Sequence, residues 1–177
     1  YEAIRRVFAK GDPASWPVNL APSDLGLGPY DFAAGETRSA WSFDRGLGGW
    51  RSLMNTGNLR AEEGAMRFRT ETDDAAVTVR TSGFNANDWA FLVLEMQLDG
   101  AVPAGSEGQL YWTPKGGQES EAASVRFPLK TDNGLHTYRI RLDAIPAWTG
   151  ELQSLRYDPC AAENIQVAVH AFRFETN

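Results

Sequence analysis

The chain has 177 residues, 42% of them hydrophobic and 11% aromatic, which is enough to fill the core of one domain and argues against a disordered chain. Its formal net charge of -6 argues against a nucleic-acid-binding protein, because such proteins present a basic face. No stretch is apolar over the length of a membrane-spanning helix, so we expect no membrane insertion by this segment. No signal peptide is visible, and the single cysteine excludes an internal disulfide.

The first 37 residues differ in character from the rest of the chain. Residues 1–10 place Ile4, Val7 and Phe8 on one helical face, which predicts a short N-terminal helix. Residues 11–37 are rich in proline and glycine without a sustained period, yet they carry several aromatic residues. We predict an extended lead-in that packs on the domain, with a flexible linker as the alternative.

From residue 38 onward, turn residues separate short stretches typical of strands. The first strand is predicted over Ser39–Asp44, and Trp50 opens the next strand after a glycine-rich loop. Glu63 and Gly64 predict a tight hairpin turn. Phe91–Leu98 begins as a continuous apolar run, which is typical of a central strand covered on both sides at one end.

The second half of the chain continues this pattern. Four segments stand out between Glu107 and Pro159: Gly108–Trp112, Val125–Leu129, His136–Leu142, and Trp148–Gly150 leading to Leu155–Pro159. Three of them alternate apolar and polar residues, which indicates half-buried strands. In all we predict about ten or eleven short strands, a spacing typical of a β-sandwich. The fold class is therefore all-β, a two-sheet antiparallel sandwich or jelly roll formed by residues 38–177, preceded by the helix and lead-in of residues 1–37.

Two irregularities in the pattern make local predictions. In the last strand the apolar residues change from odd to even positions. Ile165, Val167 and Val169 would point to one face of a regular strand, and Phe172 and Phe174 to the other. A β-bulge near His170 would bring all of them to the core side. Pro128 lies within a predicted strand, which places that strand at a sheet edge or at another bulge.

Catalytic signatures are weak in this sequence. The only two histidines, His136 and His170, lie in predicted strands, and no local nucleophile–base motif accompanies them. Cys160 follows a proline and is interpreted as a buried structural thiol, with a reactive thiol as the alternative. Glycoside hydrolysis needs two nearby carboxylates. Candidates beside predicted strands are Asp44, Glu95, Asp143 and Asp158, but their spacing singles out no pair.

Sugar binding is better supported by the residue types. A sugar ring stacks on tryptophan or tyrosine, and its hydroxyls bind planar polar groups such as those of arginine and aspartate. Tyr111 and Trp112 are neighbours in a predicted strand, so their side chains point to opposite faces of the sheet. One of them is therefore expected to be an exposed aromatic platform. Trp50 is the second candidate, with a core position as the alternative, whereas Trp148 is interpreted as a structural loop plug.

Several short sequence motifs, taken in their order along the chain, resemble those of a known family. They are Trp41-x-Phe43 with Gly49-Trp50, Gly64 with the strand that follows it, Gln109–Trp112, His136–Ile140, and Trp148-x-Gly150 with Leu155–Pro159. Over roughly residues 38–176 the chain resembles the carbohydrate-binding-module-like β-jelly-roll domains of bacteria, which are similar to the galactose-binding-like superfamily. Such domains are often appended to glycan-active enzymes or to cell-surface proteins.

The resemblance implies a sugar site on a concave face or in the loops at one end, and often a structural calcium ion. Asp44 matches the first calcium ligand, whereas the position of the second acid holds His170 and Ala171 instead. This departure counts against the calcium.

The sequence thus predicts a non-catalytic module that binds or positions a polysaccharide or oligosaccharide. Trp112 or Tyr111, with Trp50, would stack on the sugar, and Arg156 and Asp158 would bind its hydroxyls or a uronate. We expect an extracytoplasmic location (periplasmic, secreted or cell surface), as one domain of a longer bacterial protein. The alternatives are a protein-interaction jelly roll and a polysaccharide lyase or hydrolase.

Overall fold

A computed structural model describes residues 38–177, which form two antiparallel β-sheets packed face to face. This confirms the expected all-β sandwich. In this part of the chain the only helical segments are the 3-10 turns Ala86–Asp88 and Glu121–Ala123, and no helix is long and apolar enough to cross a membrane. The helix and lead-in predicted for residues 1–37 lie outside the described residues.

The larger sheet, sheet A, consists of strands β1 (Ala40–Trp41), β3 (Thr56–Glu62), β4 (Ala65–Thr70), β6 (Phe91–Asp99), β9 (Leu135–Arg141) and β11 (Gln166–Glu175). Its order is β3-β4-β11-β6-β9, and β1 pairs with β11 beside this path. As predicted from its apolar start, β6 is an interior strand. Val93, which pairs with Arg139 and Arg173, is buried on the outer side of the sheet.

The smaller sheet, sheet B, consists of strands β2 (Arg51–Met54), β5 (Ala76–Asn85), β7 (Glu107–Pro114), β8 (Ser124–Pro128) and β10 (Glu151–Asp158). Its order is β2-β5-β10-β7-β8. Pro128 is the last residue of the edge strand β8, which confirms the edge position predicted for it. Proline has no backbone N–H to donate, and an edge strand forms hydrogen bonds with a neighbouring strand on one side only.

The core lies between the two sheets and is strongly aromatic. Every second side chain of the central strands points into it, as strand geometry requires. The largest fully buried side chains include Trp112, Tyr157, Phe68, Phe84, Phe172, Met66 and Met96. Burying one such side chain stabilises the fold by about 1.5–3 kcal/mol, so this cluster supplies much of the driving force for folding.

The predicted bulge and hairpin turn are confirmed, whereas the predicted length of the first strand is wrong. The register of β11 against β6 shifts between Val169 and Ala171, which confirms the bulge at His170. Glu63 and Gly64 both have positive φ angles, 52° and 69°, as a tight hairpin turn requires. The strand predicted over 39–44 is wrong in length. It stops at Trp41, because Phe43 adopts a left-handed φ of 61° that ends the extended chain although its ring is buried.

Candidate functional site

The outer face of sheet B is polar across its full width. Strand pairing aligns one row of residues on this face: Ser124, Tyr111, Arg156, Thr78 and Arg51. A second row places Arg126 beside Gln109 and Gln109 beside Asp158. Because side chains alternate along a strand, the same geometry that points Tyr111 outward points Trp112 into the core.

Part of this face forms a groove of about 470 Å³ over strands β7, β8 and β10. The loop that follows β7 and the turn before β5 complete its walls. The groove is lined by Asp74, Gln109, Tyr111, Glu119, Ser120, Glu121, Arg126, Arg156 and Asp158. Eight of these nine residues carry charged or non-aromatic polar side chains, and Tyr111 contributes the one aromatic ring. The surface therefore suits a ligand with many hydrogen-bonding groups.

Arg156 is the centre of the groove's hydrogen-bond network. Its Nε and Nη2 atoms donate to the two carboxylate oxygens of Asp158, both at 2.8 Å. Its Nη1 atom donates to Glu119 at 2.9 Å, and Nη2 also lies 3.5 Å from Asp74. The guanidinium carbon lies 4.9 Å from the centre of the Tyr111 ring. The Asp158 hydrogen bonds raise the pKa of Arg156, so the arginine stays charged and joins three separate segments.

Tyr111 and Glu121 form a second anchored pair. The Tyr111 hydroxyl donates to Glu121 Oε1 at 2.5 Å, and Gln109 Nε2 donates to Glu121 Oε2 at 3.1 Å. Burial, and then the bond to Glu121, raise the pKa of Tyr111 to about 12. The hydrogen bonds from Tyr111 and Gln109 lower the pKa of Glu121. The hydroxyl is therefore protonated and the carboxylate ionised at neutral pH.

The expectation of an exposed aromatic platform is wrong, because Tyr111, Trp112 and Trp50 are all buried. Trp112 is 0% exposed, its indole N–H donates to the Ala147 carbonyl, and its ring packs edge-on against Trp148. Trp50 is 2% exposed and packs against Trp41 and Phe172. The interpretation of Trp148 as a structural plug is confirmed, since it is buried among Trp112 and Phe174. The interior of the sandwich takes these large apolar rings because that is where their burial stabilises most.

The other three predicted ligand residues come together in the groove. Tyr111, Arg156 and Asp158 all line it, although Tyr111 is only 7% exposed and lies partly beneath Arg156. Sequence reasoning missed Glu119 and Glu121, which lie in a polar loop without periodicity. Gln109 and Arg126 carried a usable signal, because each is two residues from another outward-facing position of its strand.

The predicted calcium ligand receives no support from its surroundings. Asp44 is exposed in the turn after β1. Among residues 38–177, no group of three or more acidic, histidine or cysteine side chains could hold a metal ion. Calcium also takes backbone carbonyls as ligands, so Asp44 as a calcium ligand stays a prediction.

Three of the four carboxylates considered for catalysis are each paired with a different arginine. Glu95 is bound to Arg173, Asp143 to Arg141 and Asp158 to Arg156, while Asp44 lies in its own turn. Glu95 and Asp158 belong to different sheets.

The interpretation of Cys160 as a structural thiol agrees with the structure. It is 3% exposed, and burial raises the pKa of its thiol to about 11. A buried thiol that is protonated at neutral pH is a poor nucleophile.

Comparison with known proteins gives a likeness in fold. No protein-family model matches the chain, and no curated protein matches its sequence. Among the solved structures that match is a family 28 carbohydrate-binding module described as specific for non-crystalline cellulose. Its TM-score is 0.56 at 15% identity, over 80% of this chain and 95% of that one.

Two further modules match to a similar extent. The family 11 carbohydrate-binding module of a cellulosomal cellulase from Clostridium thermocellum has a TM-score of 0.56 at 13% identity, over 82% of this chain and 97% of its own. A low-affinity xylan-binding module of family 86 from Roseburia intestinalis has a TM-score of 0.52 at 12% identity, over 81% and 97%. The resemblance to carbohydrate-binding modules is thus confirmed for the β-sandwich fold, while the galactose-binding-like label stays a prediction.

Proposed function

We propose that this domain binds a polysaccharide or oligosaccharide without modifying it, through the groove on the outer face of sheet B. The observation that carries the proposal is the convergence of Tyr111, Arg156 and Asp158 into one hydrogen-bonded groove on an open sheet face. The similar structures, which are carbohydrate-binding modules rather than enzymes, support the same reading.

The groove offers the groups that sugar hydroxyls need. Carboxylates accept hydrogen bonds from hydroxyls, and the exposed side chains of Glu119 and Glu121 line the loop side of the groove. Arg126 and Ser120 add donors at the same wall. The side chains are already held by one another before a ligand arrives, which reduces the entropy lost on binding.

Affinity should be weak. With both candidate tryptophans in the core, the groove has a single ring, Tyr111, which is 7% exposed. Stacking on a flat aromatic face therefore contributes little, and hydrogen bonds in competition with water contribute modestly. We expect dissociation constants of roughly micromolar to millimolar.

The geometry favours binding over catalysis. Tyr111 keeps its proton at neutral pH because its pKa is raised to about 12, so it is a poor general base. Asp158 is occupied by Arg156 through both oxygens. We also propose that the domain belongs to a longer extracytoplasmic bacterial protein, where it would keep a neighbouring domain close to its glycan.

A glycan-array screen of residues 1–177 tests the proposal, with Glu121→Ala as the groove variant. Glu63→Ala is the matched control, because the two glutamates have 71% and 77% exposed side chains and each lies beside one arginine. We expect the groove variant to lose binding roughly threefold to tenfold and the control to bind normally. Absence of binding to every glycan, with the domain folded, would favour the protein-interaction alternative.

A further inference from the structure

The groove carries more negative than positive charge. Its lining includes four carboxylates (Asp74, Glu119, Glu121 and Asp158) and two guanidinium groups (Arg126 and Arg156), which leaves a formal charge of -2. No histidine or lysine lines it. Charges of one sign on one surface add up and raise the local concentration of ligands of the opposite sign.

The central arginine has little donor capacity left for an anionic ligand. All three nitrogens of the Arg156 guanidinium already donate to carboxylates of Asp158, Glu119 and Asp74. Its side chain is 16% exposed, so a uronate could reach at most the one remaining N–H unless it displaced one of these carboxylates. Arg156 therefore positions the acidic side chains of the groove and is not itself an anion site.

The acidic side chains, in contrast, are accessible. The exposed fractions are 38% for Glu119, 65% for Asp74 and 71% for Glu121. The nearest approach of Arg126 to Glu121 is 3.6 Å, which is beyond a short charge-assisted hydrogen bond. Because Tyr111 and Gln109 stabilise its ionised form, Glu121 stays negatively charged at mildly acidic pH.

We propose that the groove prefers glycans carrying positively charged amino sugars over the corresponding neutral glycans, and rejects glycans rich in uronate or sulfate. This inference deepens the proposed function and rests on it. A ligand ammonium group would bind at the exposed carboxylates of Glu119, Asp74 and Glu121, which keep acceptor capacity beside the hydrogen bonds that they already accept. The sugar hydroxyls would use the remaining acceptors. An anionic chain would meet carboxylates at the same place, and like charges brought together at an interface are strongly unfavourable.

Two other arginines of the outer face offer an internal check. Arg51 lies in β2 and Arg80 in β5, outside the groove lining. Neither makes an ion pair with any residue of the part of the chain that the structure describes. If an anionic glycan were the ligand, these two exposed guanidinium groups would be available to bind it on this face.

The test compares three oligosaccharides of equal length by isothermal titration at pH 6. They are glucosamine oligomers (cationic), N-acetylglucosamine oligomers (neutral) and galacturonate oligomers (anionic), with an oligolysine as a probe of charge alone. The groove variant is Asp74→Asn with Glu119→Gln, which removes two charges but keeps the side-chain shapes. Glu62→Gln with Glu63→Gln makes the same change of net charge on the β3–β4 hairpin, where both glutamates form ion pairs.

We expect the cationic oligomer to bind roughly threefold to twentyfold more tightly than the neutral one, from a few partly exposed charge contacts. The groove variant should lose this preference, the hairpin control should keep it, and rising salt should weaken it.

Equal binding of cationic and neutral oligomers would overturn charge selection but leave glycan binding in place. Tighter galacturonate binding, abolished by Arg51→Ala with Arg80→Ala, would overturn it as well. Oligolysine binding as tight as that of the glucosamine oligomer would overturn the preference for amino sugars, because charge alone would then explain the binding. Failure of all three glycans, and of the glycan array, would refute the proposed function itself.

Discussion

Replacing Arg156 with methionine should destabilise the domain more than any other single change in the groove. The substitution removes the donors to Asp158, Glu119 and Asp74. The Asp158 side chain is 19% exposed, so its charge would be left largely buried and close to other carboxylates. Removing one partner of a fully buried pair costs about 3–5 kcal/mol. Since this pair is partly exposed, we expect about 2–3 kcal/mol, or roughly 4–12 °C in Tm.

The loss should depend on pH in a defined direction. Burial already raises the pKa of Asp158, and Arg156 opposes that rise. Without the arginine, the folded-state pKa rises further above the unfolded value. The native variant then binds more protons than its unfolded chain between these two values, so its stability falls as pH rises through that window. Lowering the pH from neutral should therefore restore part of the variant's stability relative to the wild type.

Urea unfolding of the wild type and variant at several pH values measures both effects. Arg126→Met is the control, because this arginine is 56% exposed and lies 3.6 Å from Glu121; we expect a change of less than about 1 kcal/mol. Adding Asp158→Asn to Arg156→Met should recover most of the stability, since no buried charge remains. A loss below about 1 kcal/mol, without pH dependence, would refute the role assigned to this ion pair.

Three further predictions concern the core and the titrating groups. Trp112→Ala removes a fully buried ring and should cost about 3–5 kcal/mol in urea unfolding; a loss below about 1 kcal/mol would contradict its core position. Glu121→Gln should lower the pKa of Tyr111 from about 12 towards its ordinary value, as followed by NMR of the ring carbons, because it removes the charged acceptor; an unchanged value would assign the shift to burial alone. Native Cys160, with a pKa of about 11, should react with a thiol reagent at least roughly a hundredfold more slowly than in urea; equal rates would show that the thiol is accessible.

Most of the fold could be predicted because most strands alternate with a period of two between their bulges. The parity change between Val169 and Phe172 located the bulge at His170, since only one extra residue keeps both side chains in the core. The opposite orientations of Tyr111 and Trp112 followed from the same period. Parity alone does not say which face is the core, and here the larger, more apolar ring is inside.

Parts of the site depend on contacts between distant segments. Trp50 follows a glycine-rich loop and was a candidate for exposure, yet Trp41 from β1 and Phe172 from β11 enclose its ring. Glu119 lies in a polar loop and is bound by Arg156, 37 residues further along the chain. Local sequence patterns do not contain such pairings, so the acidic wall of the groove became visible only in the folded structure.

The most direct test of the account is an NMR titration of the isotopically labelled domain with the best ligand of the glycan array. If the ligand binds in the groove, amide shifts should cluster on the outer face of sheet B, at Gln109, Tyr111, Arg156 and Asp158 and along residues 119–121. Sheet A should stay unchanged. Saturable shifts confined to sheet A or to the loops at one end of the sandwich, with the groove unaffected, would contradict the proposed site.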